Sequence, residues 1–336
     1  MTTISKKGLF VGLTTHDLIY QVEAPPKANQ KLVASDYIMA AGGPATNAAI
    51  AFQHLSQIST NQPIPSPPYS TAFATILSVI GNHPIGHLVK ADIEQGGVAI
   101  ADLNPAHSAP VPTSSIMVTA ATGERAVVSL NAVKSVALPH QIPEWIDSLW
   151  DQIGVVLIDG HQMKVGEAIA HIAQQKDIPV VVDAGSWKPG FEKVLVHATH
   201  IVCSENFYPP NCQSCNEIHD FLQNLGVPHI AITHGSDPIQ YWHKQVNRVS
   251  NTPQLIPVPS ISPVDTLGAG DIFHGAFCYY LLDAAAKDFD GPAHSRERSH
   301  LNIPAVLSKA AQIASESCAS FGPRAWMRQE NFSKAR

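Results

Sequence analysis

Asp265-Thr266-Leu267-Gly268-Ala269-Gly270-Asp271, running on into Ile272-Phe273-His274-Gly275-Ala276-Phe277, is the stretch from which the rest of the chain can be read. A short polar loop enters an apolar helix, expected over Leu267–Ala286, through two glycines and an alanine. Small residues let an anion approach the backbone. A helix start leaves unpaired N–H groups pointing outward, with the positive end of the dipole behind them. The stretch therefore reads as a phosphate cradle. Asp271 sits one residue past the cradle, on the first helical turn. A carboxylate repels a phosphate, so its use there is to take a proton from an attacking hydroxyl. A Gly-x-Gly alone would read better as a structural turn with Asp271 capping the helix. The two aspartates at this spacing turn the balance toward phosphate chemistry.

Working outward, the second half alternates strands with helices. Val155–Ile158, Val180–Asp183, His200–Cys203 and His229–Thr233 are short apolar runs. Helix-length segments lie between them: Val165–Gln175, Gly190–His197 and Asn216–Leu225. A last helix is expected over Pro304–Ala319, after a charged, breaker-rich loop at Lys287–His300. Such alternation predicts a parallel sheet with helices on both faces. The first half differs. Gly8–Leu13 and Ala72–Ile80 read as buried strands, and Pro44–Leu55 and Ile85–Gln95 as helices. Leu18–Val22 and Leu32–Ile38 flank the breaker-rich Ala24–Gln30 as a hairpin, with Ala40–Gly43 a loop. Ser114–Thr119 and Ala126–Leu130 flank the turn Thr122-Gly123-Glu124 as a second hairpin. Asn61–Ser70 is a proline-rich loop. An antiparallel patch of this kind could cover a cleft at the carboxyl edge of the sheet, where open α/β sheets bind ligands.

Three motifs carry a resemblance. The seven-residue core at 265–271 resembles the C-terminal signature of the ribokinase-like, or PfkB-type, carbohydrate kinases. Gly42-Gly43-Pro44-Ala45-Thr46-Asn47-Ala48-Ala49 is similar to the family's first-half signature. Gly12-Leu13-Thr14-Thr15-His16-Asp17 matches its strand end followed by an aspartate. In this order they extend the resemblance over essentially the whole chain. It implies a three-layer α/β/α sandwich, one kinase domain over residues 1–336, with a small antiparallel β lid from segments near 17–40 and 112–131. It implies Asp271 as general base and Gly268, Ala269 and Gly270 as the anion hole. Asp17, Gly42, Gly43 and Asn47 become the sugar-binding set. The chemistry suits them: a carboxylate accepts vicinal hydroxyls in pairs, and Asn47 offers a donor and an acceptor. Arg125, after the hairpin turn, would reach toward the phosphates, although a solvated hairpin arginine reads as well. Asn206, Thr233, Gly235, Asp265 and Thr266, with Gly268 and Gly270, would form the ATP site. The implied cofactors are ATP and Mg²⁺, with a monovalent cation left open. A homodimer through the lid is a further expectation.

Some positions depart from the family pattern. Asn206-Phe207-Tyr208-Pro209 stands where many members carry Asn-x-x-Glu, so the glutamate that supports magnesium is absent from its place. Ketohexokinase-like members also lack it, and Phe10-Val11-Gly12-Leu13 leading to Asp17 is similar to them. In Gly81-Asn82-His83-Pro84-Ile85-Gly86 an aspartate usual between the glycines is missing. Cys212-x-x-Cys215 with His219 suggests zinc weakly, since no fourth ligand is paired nearby; two free thiols is the plainer reading.

Bulk composition narrows the class. The chain has 336 residues, 45% hydrophobic and 14% charged, with net charge −6; a typical domain is roughly 25% charged. No Lys/Arg run offers a nucleic-acid footprint. No stretch approaches the ~18 apolar residues of a membrane helix. Met1–Gly12 does not read as a signal peptide, and five cysteines form no disulfide framework. These point to a reduced, cytoplasmic protein. The expected activity is transfer of the γ-phosphate of ATP to a sugar hydroxyl. A nucleoside kinase shares the same signatures. A catalytically silent sugar- or nucleotide-binding regulator is a second alternative, but it would have no need of Asp271. A dinucleotide oxidoreductase is a weak third alternative, since no Gly-x-Gly-x-x-Gly follows the first strand.

Overall fold

The aliphatic runs between the helical stretches assemble into one nine-stranded sheet. The computed structural model describes residues 6–63, 71–130, 136–243, 252–289 and 301–328. In chain order the elements are β1 (Lys7–Val11), β2 (Thr15–Val22), β3 (Asp36–Gly42), α1 (Pro44–Thr60), β4 (Ala74–Ser78), α2 (Pro84–Gln95), β5 (Ala99–Asp102), β6 (Thr113–Thr119) and β7 (Arg125–Ser129). Then follow β8 (Ile153–Ile158), α3 (Met163–Gln175), β9 (Val180–Ala184), α4 (Phe191–Leu195), β10 (His200–Ser204), α5 (Cys215–Asn224), β11 (His229–His234), β12 (Asp237–His243), β13 (Gln254–Ile256), α6 (Ala269–Phe289) and α7 (Ile303–Ser317).

The large sheet has the order β13-β12-β11-β10-β9-β8-β1-β4-β5. Its strands pair in parallel except at β12 and β13, which add antiparallel to one edge. Two apolar layers cover its faces. One packs α1, α2, α6 and α7 against Phe10, Ile76 and Val202. The other packs α3, α4 and α5 against Leu9, Val11 and Val156. α6 is apolar all round, and its residues 272–279 are all buried, as expected of a helix enclosed by neighbours.

The second sheet has four strands in the order β3-β2-β6-β7. Both predicted hairpins are present, and β2 and β6 join them by parallel pairing. Alternation puts Ile19, Ile116 and Val118 on the inner face, where Leu267 and Phe321 pack against them. Leu18, Tyr20, Tyr37, Met39 and Met117 fall on the outer face by register.

Several boundaries differ from the sequence reading. Ala40–Gly42 is not a loop but the end of β3, because Ala41 and Gly42 stay in register with His16 and Thr15. The Leu32–Ser35 part of the alternating run is not strand. Asp17 does not follow the end of β1; it lies within β2. α6 begins at Ala269 and carries on through Lys287 to Phe289; the rest of the expected loop, 290–300, lies outside the described residues, as does 64–70 of the proline-rich loop. β5, β12 and β13 were not expected. β5 has only four residues, and Pro238 disguises the start of β12.

Candidate active site

The loop at 265–268 leads into α6 at Ala269. Gly268 has φ +73°, which an ordinary side chain adopts at a cost, and its carbonyl receives the Ile272 N–H at 2.8 Å to start α6. A side chain built at Gly270 would meet nothing within 4 Å, so the space beside the helix start is open to a ligand. Asp265 braces the loop: its carboxylate accepts the N–H of Leu267 (2.8 Å) and of Gly322 (2.9 Å). Thr266 donates its hydroxyl to Gly123 O in the second hairpin turn (3.1 Å). Arg125 donates to Thr266 O at 2.7 Å. The hairpin tip thus rests on the loop just before the cradle.

Asp271 lies on the first turn of α6, and its Oδ2 accepts from Asn47 Nδ2 at 2.8 Å. This joins the first-half and C-terminal motifs, 224 residues apart. Burial pushes the Asp271 carboxyl up to about 6, and the nearby Asp183 charge adds to this; Asn47, His274 and Arg125 pull the other way. Such a carboxyl is ionised and still basic near neutral pH.

Asp17 on β2 is buried, and its Oδ1 accepts from the Thr15 hydroxyl at 2.8 Å. Its Oδ2 lies against Gly42, where an added Cβ would come within 1.9 Å, so the glycine makes room for the carboxylate. Burial raises the Asp17 pKa, against hydrogen bonds from Thr15 and Ser114 and the charge of Arg324. Gly43 has φ +97° and lets the chain turn from β3 into α1, with Asn47 N–H bonded back to Gly43 O at 2.9 Å.

Asn206, Thr233 and Gly235 lie at the carboxyl ends of β10 and β11. Thr233 donates its hydroxyl to Cys203 O at 3.2 Å. Asn206 is exposed, and its N–H bonds Ser204 Oγ at 3.2 Å. Gly235 has φ +62° and open space around it. Among the described residues the hydrogen bonds of these residues stay local and do not reach Asp271.

Three aspartates and an arginine escaped the sequence reading. Asp159, at the end of β8, accepts the N–H of Leu13 (2.8 Å), His161 (2.9 Å) and Ala45 (3.1 Å). It binds the loop after β1 to the start of α1. Burial opposes its charge, but His161 and these donors outweigh that and hold its pKa below the usual range. Asp183, next to last in β9, lies 3.5 Å from His274 Nδ1, which also bonds Gly270 O at 2.7 Å. Burial raises its pKa against the attraction of His274. Both residues are strand-end aspartates, the same cue that singled out Asp17. Asp92 and Arg324 had no such cue.

Cys212 Sγ donates to Glu217 O (3.5 Å), Cys215 Sγ lies 4.0 Å from His234 Nε2, and all five cysteines are free. No group of three or more His, Cys, Asp or Glu side chains is arranged to hold a metal among the described residues. A magnesium carried by nucleotide phosphates needs only one or two protein carboxylates and water. Asp183, one imidazole away from the cradle carbonyl, suits that. No helix among the described residues is long and apolar enough to cross a membrane.

Comparison with known proteins agrees with this geometry. The model of the pfkB family of carbohydrate kinases matches residues 5–327. The ribokinase of Bacillus subtilis is 23% identical over 329 residues, covering 96% of each chain. The structure of ribokinase from Giardia lamblia superposes with a TM-score of 0.73 at 19% identity, covering 97% of each chain. An Arabidopsis thaliana ribokinase solved with ribose and ATP gives 0.66 at 17% identity, covering 97% of this chain and all of that one.

Proposed function

The chain belongs to the pfkB family of carbohydrate kinases, and from that premise we propose that it moves the γ-phosphate of ATP to a hydroxyl of a free sugar, with Asp271 as the general base. One observation carries the reading: Asp271 stands on the first turn of α6, held by Asn47, beside a cradle with open space at Gly270. ATP supplies the phosphoryl group, as the ligand bound to the Arabidopsis relative suggests. The helix start at Gly268, Ala269 and Gly270 would stabilise the charge that builds on it. Asp271 takes the proton of the attacking hydroxyl. Asp17 accepts sugar hydroxyls from the lid side, with Gly42, Gly43 and Asn47 shaping the pocket. Arg125 keeps the hairpin tip on the cradle loop. Asn206, Thr233 and Gly235 hold the nucleotide, and Asp183 would help hold a Mg²⁺ that neutralises the phosphate charge.

A sugar fits better than a nucleoside. A purine needs a flat wall. Tyr20 and Tyr37, the aromatics of the lid, stack on each other at 6.5 Å on its outer face, turned away from Asp17. That outer face also exposes Tyr37 (61%), Met39 (55%) and Val128 (67%). It supports a homodimer formed lid to lid, which the mass in solution would test. The cytoplasm suits five free thiols and an ATP-dependent reaction.

The test is a panel of pentoses, hexoses, ketoses and nucleosides assayed for ADP release. The expected result is a sugar as the best acceptor. Faster turnover with adenosine or inosine than with every sugar would overturn the sugar assignment, and no turnover with any acceptor would favour a silent binding protein.

A further inference from the structure

Arg324 lies beyond α7 and belongs to none of the signatures, yet its guanidinium joins several elements. Nη1 donates to Asn47 Oδ1 on α1 at 2.9 Å. Nη2 donates to Ala41 O on β3 at 2.7 Å. Asp92 Oδ2 on α2 lies 3.9 Å from Nη2 and accepts the Ala41 N–H at 2.9 Å. At Ala41, near the base of β3, both the N–H and the C=O are therefore bonded to an Arg–Asp couple on the body of the protein.

The same guanidinium decides which way Asn47 points. An amide can sit in either of two flips, and its neighbours choose between them. With Arg324 donating to Oδ1, Nδ2 turns to Asp271 Oδ2 at 2.8 Å. The opposite flip would set N–H against guanidinium and oxygen against carboxylate, unfavourable at both ends.

We infer that Arg324 is a positioning residue for phosphoryl transfer: it orients the Asn47 amide to donate to Asp271 while holding the base of lid strand β3 against the body. It rests on the reading of Asp271 as the base. Without Arg324 the amide loses its orienting partner, and the ionised form of Asp271 loses a donor. Besides the Asn47 hydrogen bond, the charged groups acting on Asp271 are Asp183 from β9, His274 from α6, Arg125 from β7 and Arg324 itself. Those acting on Arg324 are Asp92, Asp17 and Asp271 itself. A lost hydrogen bond to a charged form raises a carboxyl pKa, so the acid limb of the rate should move to higher pH.

The experiment compares Arg324→Met and Arg324→Lys with the unaltered enzyme, reading kcat, the two KM values and the pH profile of kcat/KM on the best sugar. The Met variant should lose roughly tenfold to a hundredfold in kcat, as misplacement by about 1 Å does. Its acid limb should shift upward, its KM for ATP should stay unchanged, and millimolar guanidinium should restore part of the rate. A compact ammonium cannot bridge two acceptors as a planar guanidinium does. The Lys variant should therefore keep the acid limb yet raise the sugar KM by about tenfold. If the Met variant does not fold, the Lys variant decides. A Met variant with unaltered kcat and acid limb, or a Lys variant with unaltered sugar KM, overturns the inference. Turnover retained in Asp271→Asn would instead defeat the base assignment, and Arg324 as its positioner with it.

Discussion

Gly275→Ala tests the geometry of the site without touching a site residue. Gly275 lies one helical turn beyond Asp271, where α6 crosses α1. A Cβ at this position would lie 2.3 Å from Ala48 O and 2.9 Å from Ala51 Cβ. Carbon and carbonyl oxygen normally come no closer than about 3.3 Å, so α1 must retreat by about 1 Å. Asn47 precedes Ala48 and moves with it. The Asn47–Asp271 contact of 2.8 Å then stretches beyond hydrogen-bond range. Overpacking costs about 1–3 kcal/mol, and alanine's better helix propensity returns up to ~1 kcal/mol. The melting temperature should thus fall by only a few degrees, while kcat falls on the order of a hundredfold. Steady-state kinetics at saturating ATP, paired with a thermal melt, reads both. A variant within twofold of the original kcat would refute the argument that close helix packing sets the Asn47–Asp271 distance.

Other perturbations separate the parts of the site. Asp271→Asn should lower turnover by ~10²–10⁴-fold with ATP affinity nearly intact; near-normal turnover would remove the base. Its pKa is raised to about 6 in the fold, so its ionisation costs stability as pH rises from near 4 to 6; a melt at pH 7 should show the Asn variant no less stable. The kcat/KM profile of the unaltered enzyme should fall on the acid side with a midpoint near 6. Asp17→Ala should weaken sugar binding far more than nucleotide binding in separate titrations, and an unchanged sugar affinity would take Asp17 out of the site. His54, with its pKa lowered to about 4 by burial, contributes stability in full above its ordinary 6.5 that is lost as pH falls toward 4. Melts across that range should show a shallower decline in His54→Gln, and identical slopes would contradict it.

How far the sequence reveals this site depends on what a local pattern can encode. The cradle and Asp271 are legible because loop, small residues and helix start are contiguous. Asn47 is legible by its motif, but not the donor it supplies to Asp271, which only the crossing of α1 and α6 creates. Asp159 and Asp183 carry a local cue, an aspartate at the carboxyl end of an apolar strand. Arg324 carries none: its partners Ala41, Asn47 and Asp92 come from three distant elements, and an arginine after Gly-Pro says nothing of them. The strand β12 was hidden by Pro238, and Ala40–Gly42 by a composition that favours loops. In both cases pairing with a neighbouring strand overrode local propensity.

The enclosure of α6 has a consequence for motion. Residues 272–279 are buried throughout within a large core, whereas the lid rests on a patch of three buried side chains. Local opening follows such differences in packing. Amide protons of the lid strands should exchange with solvent through small, frequent openings, and those of α6 only when the whole molecule unfolds. Asp271 is then borne on a helix enclosed by the core, and not on an element that opens readily. Under the proposed activity, the pace of sugar entry and product departure would be set by the lid.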